Sequence, residues 1–232
     1  MESSSFLKKF EFYEFAGVLA PGVVTVYGLA RIYPDLGIIL KDEKVSFGEL
    51  GLLLILAFVA GHLIQAFGNL IEIVWWKCSG GKPSDWVRTG KGKILAASQA
   101  QVLPARIREL LRTNCPDDLH TITPQDWFGI TRQVYATVRK AGRADRVDIF
   151  AGNYGLFRGV AAGFIVILVA TYNNTENESW KLYAVIALVI LLALDRMHRF
   201  GVHYARELFV QFIDIQPGET MQPKKAKEAA DE

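Results

Sequence analysis

Four stretches of the chain are almost free of charge, and polar or charged segments separate them. The stretches cover about 15–33, 50–75, 156–172 and 180–194. A helix needs roughly 20 apolar residues to cross about 30 Å of hydrocarbon. The pattern therefore predicts an all-α, polytopic membrane protein with four transmembrane helices. The third and fourth stretches are short, with unbroken apolar cores at 159–170 and 182–194. Length alone would also fit buried helices of a soluble protein. The brief polar link 173–181 makes the pair a hairpin, and Tyr172, Trp180 and Tyr183 flank it where interfacial rings belong. Pro21-Gly22 should kink the first span, since proline removes one helical hydrogen bond. Ser46 and Glu49 have capping-box spacing at the start of the second.

Between the second and third spans lies a helical insertion. Ile94, Leu95, Val102, Leu103, Ile107, Leu110 and Leu111 form a helical stripe over 90–113, which Pro104 should break or bend. Thr123-Pro124 with Asp126 predicts a helix start: cap, proline in the first turn, acid nearby. Trp127, Ile130, Val134, Tyr135 and Val138 follow at helical spacing. Another helix should start near Arg143 and run unbroken into the third span. The expected divisions are a first hairpin (1–76), a basic helical segment (77–154), a second hairpin (155–195), an extension of the fourth helix (196–216) and a charged, disordered tail (217–232).

Charge sets the expected orientation. Residues 77–158 hold 14 Lys and Arg against 7 Asp and Glu, whereas the 173–181 turn holds only Lys181. The positive-inside rule then places the insertion and both termini in the cytoplasm of an inner-membrane protein. The sequons at Asn173 and Asn177 would face outside, where a plain polar turn explains them. No cleavable signal peptide is expected. Two cysteines, Cys78 and Cys115, imply no disulfide framework.

Three residue patterns are candidates for function. His62, Gln65, Asn69 and Glu72 share one face of the second span. Polar groups facing lipid are costly, so this face should line a conduit or form an interhelical hydrogen-bond ladder. Ala151, Gly155, Gly159 and Gly163 place a small residue at every fourth position, a surface for close backbone approach within one chain or between subunits. Ala57, Gly61 and Gly68 offer a matching surface. Arg196, Arg199, His203 and Arg206 form a basic face beyond the fourth span, suited to juxtamembrane anchoring or to holding an anionic lipid or nucleotide-like ligand. Arg158 and Trp75-Trp76-Lys77 read as further interfacial anchors.

Catalytic chemistry is not signalled. Cys78, Cys115 and His120 match no zinc spacing and lack a fourth ligand. The 79–84 segment bears glycines without a phosphate-loop pattern, and Asp117-Asp118 follow a proline as a turn would. The expectation is a non-enzyme without cofactor or metal.

Phe12-Tyr13-Glu14-Phe15 followed by Pro21-Gly22, then Gly61-His62, then Tyr-Gly-Leu-Phe-Arg-Gly at 154–159 resemble the pattern of small four-span bacterial membrane proteins. The architecture also resembles four-span membrane components of anti-phage systems, such as the Kiwa membrane subunit and the membrane effectors of cyclic-nucleotide immunity. That resemblance implies a homo-oligomeric membrane sensor or membrane-perturbing, pore-like effector of a defence or stress system. A cytoplasmic protein partner would drive it, and nucleic acid would play no part. The alternatives are a non-conducting scaffold that recruits a soluble partner, or a small transporter. The last would more often show repeats and broken helices.

Overall fold

The computed structural model describes residues 15–33, 35, 47–174 and 179–216. Among them the chain is all-helical, without strands. A π-helical turn, Phe15–Leu19, leads into α1 (Ala20–Ile32). Then follow α2 (Phe47–Cys78), α3 (Pro83–Thr89), α4 (Ala97–Leu111), α5 (Pro124–Lys140), α6 (Asp145–Asn174) and α7 (Trp180–Ile213). Short 3-10 turns at Lys91–Lys93 and Leu119–Thr121 join α3 to α4 and α4 to α5. The expected cap at Ser46, the opening 12–14 motif and the tail lie outside the described residues.

Two helices, α2 and α6, are long and apolar enough to cross a membrane. At 1.5 Å per residue they reach about 48 and 45 Å, more than the hydrocarbon thickness. Only 17% of the most apolar stretch of α2 is buried, against 44% in α6. The core helix of a soluble protein would be buried over most of such a stretch, and α2 is not. The apolar part of α1 is shorter. In α7 the uncharged stretch runs only from 182 to 194, with Lys181 before it and Asp195 and Arg196 after it.

The chain divides into two compact units. The first comprises Met1–Trp75 and Gly152–Arg199, and the second Trp76–Ala151 and Phe200–Glu232. The divisions lie at 75/76, 151/152 and 199/200. From Phe200 onward α7 belongs to the second unit and supplies part of its core.

That core has a conventional interior. Leu103 and Ile107 of α4, Trp127, Val134 and Val138 of α5, Val147, and Leu208, Phe209 and Phe212 of α7 are fully buried together. Trp127 stacks on Phe209, with centroids 5.5 Å apart, and its Nε1 donates to the Ser84 carbonyl at 2.8 Å. The start of α5 is as predicted. Thr123 Oγ1 accepts from the Asp126 amide at 3.1 Å, satisfying one of the unpaired donors of the first turn. The helix ends in a Schellman motif: Gly142 takes φ +73°, its N–H donates to the Arg139 carbonyl and Arg143 N–H donates to that of Val138. Pro104 does not end α4, which runs through it from Ala97 to Leu111. It is buried there, and the helix survives with one hydrogen bond fewer. The stripe expected from Gly90 starts as α-helix only at Ala97, because Gly90 and Gly92 take left-handed backbone angles.

Candidate functional site

The first unit holds a polar clamp where α2 meets α6 and the chain before α1. Its origin is Pro21. The Gly17 carbonyl would ordinarily accept from the amide four residues on, but Pro21 has no N–H. Around this gap the backbone widens into the π-helical turn Phe15–Leu19. Gln65 of α2 supplies a donor: its Nε2 gives hydrogen bonds to the Gly17 carbonyl and, at 2.9 Å, to the Gly155 carbonyl of α6. Its Oε1 accepts from Arg158 Nη2 at 2.8 Å and from Nε at 3.2 Å. Arg158 Nη1 in turn meets Glu72 Oε2 at 2.5 Å. Both charged side chains are largely buried, 15% and 13% exposed, and the guanidinium lies over the Tyr154 ring, 5.8 Å from its centroid. One carboxamide thus ties three chain segments together, and a buried charge pair is satisfied by charge-assisted bonds.

Glycines make the clamp possible. A Cβ on Gly159 would lie 2.7 Å from Gln65 Nε2 and 2.8 Å from Pro21 Cγ. One on Gly163 would strike Thr25 Oγ1, and one on Gly22 would strike the Ala57 carbonyl. Gly61 meets Val18 as closely, and Gly68 faces the Arg158 stem. Thr25, fully buried, returns its hydroxyl to the Pro21 carbonyl at 2.8 Å. Of the predicted small-residue face, Gly155, Gly159 and Gly163 therefore pack within one chain. Ala151, half-buried, belongs to the second unit.

The predicted polar face is divided. Gln65 and Glu72 turn inward to Arg158, while His62 and Asn69 are exposed. His62 stands edge-on to Phe58, with ring centroids 4.6 Å apart. Arg158, read from the sequence as an interfacial anchor, is the electrostatic centre of the clamp. Its place three residues after Gly155, on the α6 face that meets α2, was the available signal. Trp76 is likewise buried, edge-on to Trp86 at 5.8 Å, and Trp75 Nε1 donates to His198 Nδ1 at 3.2 Å. Burial lowers the His198 pKa from its ordinary value, partly offset by Asp195.

On the basic face of α7, Arg196, Arg199, His203 and Arg206 are exposed. Arg199 pairs with Asp195 at 3.0 Å. His203 stacks on Phe150, centroids 5.4 Å apart, and Arg206 Nε donates to the Ile94 carbonyl at 3.1 Å. Asp117 pairs with Arg108 at 2.7 Å, and Asp118 caps the His120 amide at 3.0 Å. Both serve the turn. Cys78 is exposed and Cys115 buried. Among the described residues no group of three or more His, Cys, Asp or Glu is placed to hold a metal.

Comparison with known proteins adds no relative: no protein-family model, curated protein or solved structure matches the chain.

Proposed function

We propose that the chain is a four-span inner-membrane protein whose first unit lies in the bilayer and whose second unit recruits a soluble partner in the cytoplasm. The spans are α1, α2, α6 and α7, the last two extending beyond the hydrocarbon. The carrying observation is where apolar surface is exposed. Among the described residues all exposed large apolar side chains lie in the first unit except Val102, Phe128 and Ile149. Such a surface is costly in water and ordinary in lipid. The polar clamp supports a non-conducting anchor, because Gln65 and Glu72 of the polar face are both bonded to Arg158. The exposed Arg196, Arg199, His203 and Arg206 suit contact with anionic headgroups.

A second reading, an oligomeric sensor or membrane-perturbing effector driven through the cytoplasmic helices, is favoured by one observation. His62 and Asn69 are polar and exposed on an otherwise apolar stretch of α2. Full-length protein in liposomes separates the two. The anchor leaves ion flux at the level of empty liposomes. The effector gives a leak that His62→Leu with Asn69→Leu abolishes. Two measurements test the common ground. The chain should stay in the membrane pellet after alkaline extraction. The exposed Cys78 should react with an impermeant maleimide only after the cell envelope is opened. Labelling in intact cells would overturn the orientation.

A further inference from the structure

On α2, Ile55, Val59, His62, Ala66, Asn69 and Ile73 follow one another at steps of four, three, four, three and four residues. That is the a/d spacing of a heptad seam, which stays on one side of a helix and packs knobs into the holes of a facing helix. All six are exposed: Ile55 is 62% accessible, Val59 52% and Ile73 61%, with His62, Ala66 and Asn69 in the same class. The seam lies away from the clamp, which uses Gln65 and Glu72, and from the crossing at Ala57 and Gly61. Next to it, Leu56, Leu63 and Leu70 form an exposed flank with no polar member. Lipid suits that flank. It does not suit the seam, because hydrocarbon offers an Asn carboxamide neither donor nor acceptor. Among the described residues no hydrogen bond engages the Asn69 side chain.

We infer that this seam is a self-association surface, occupied by α2 of a second copy of the chain. The inference rests on the proposal that the first unit lies in the bilayer. Self-pairing answers the polar groups directly. A carboxamide carries both donor and acceptor, so two Asn69 side chains facing across the seam satisfy each other. Asn in transmembrane interfaces and at heptad core positions fixes partner and register in this way. His62, two turns away, provides a second polar layer, and Ala66 between them lets the backbones approach. The small-residue face of α6, the other surface suited to such pairing, is already filled by Pro21, Thr25 and Gln65.

Disulfide trapping in native membranes tests it, with the full chain carrying Cys78→Ser and Cys115→Ser. Single cysteines are placed on the seam (Val59→Cys, Ala66→Cys, Ile73→Cys) or on the flank (Leu56→Cys, Leu63→Cys, Leu70→Cys). Only the membrane fraction resistant to alkaline extraction is oxidised and read. The seam positions should give a species of twice the chain mass, at least tenfold more than the flank positions. Adding Asn69→Leu to Ala66→Cys should reduce that species at least fivefold, and Asn69→Gln should restore much of it. Equal trapping at seam and flank, no trapping, or an adduct of another mass would overturn the inference while leaving the bilayer placement standing. Release of the unmutated chain by alkali would overturn both.

Discussion

The two units turn their side chains opposite ways. In the second, the large apolar side chains point in: Trp127, Phe209 and Phe212 are fully buried. In the first, Leu63, Leu70, Val74, Leu191 and Leu192 point out, and Gln65, Arg158 and Glu72 point in. Water drives apolar groups together in the second, which needs no further glue. On the proposed bilayer placement of the first unit that drive between helices is missing, and close backbone contact at glycines and a shared polar clamp take its place.

The contrast predicts where mutations act. Trp127→Ala should destabilise the second unit by about 3–5 kcal/mol, since it empties a large core site. Denaturant unfolding followed by far-UV circular dichroism reads this. The similar apolar truncation Leu63→Ala in the first unit should change thermal stability in lipid far less. Equal effects would erase the distinction between the units.

Arg158→Met should cost the first unit about 3 kcal/mol, because Glu72 is left charged, buried and unpaired. Adding Glu72→Leu should recover most of the loss, as replacing both partners of a buried pair often does. Thermal aggregation in detergent measures both, and an unrescued double variant would show that the pair does more than neutralise itself. Gly159→Ala should cost about 1–3 kcal/mol by pushing Gln65 off its two carbonyls. The same substitution at Gly129, where a Cβ meets nothing within 4 Å, should be neutral or slightly stabilising.

The smallest effect is in the second unit. Tyr135 donates its hydroxyl to Asp148 Oδ1 at 2.8 Å. Burial, then that hydrogen bond, push its pKa up to about 12 from the usual 10. The folded state holds this proton more tightly than the unfolded chain. The stabilisation is therefore complete below pH 10 and lost as pH rises toward 12. Tyr135→Phe should flatten the stability profile over that window.

Local signals in the sequence were legible because local physics decides them. Thr123, Pro124 and Asp126 start a helix whatever lies around them, and the helix read from about Arg143 does run through to Asn174. Partners distant in sequence were not legible. Gly159 and Gly163 announced a close approach, but nothing in their spacing named Pro21 and Thr25 as the occupants. His62, Gln65, Asn69 and Glu72 span one broad helical face, and spacing cannot divide it. The split into an inward pair and an outward pair follows from Arg158, 86 residues beyond Glu72. Arg158 itself was misread because a basic residue near a span end usually serves as an anchor.

The Glu72–Arg158 pair also has a consequence for biosynthesis. At about 5–20 residues per second, the ribosome delivers Arg158 roughly 4–17 s after Glu72. Through that interval α2 carries an acidic side chain whose counter-charge has not yet been made. A chain stalled before 158 is left with Glu72 lacking the partner it has in the finished fold.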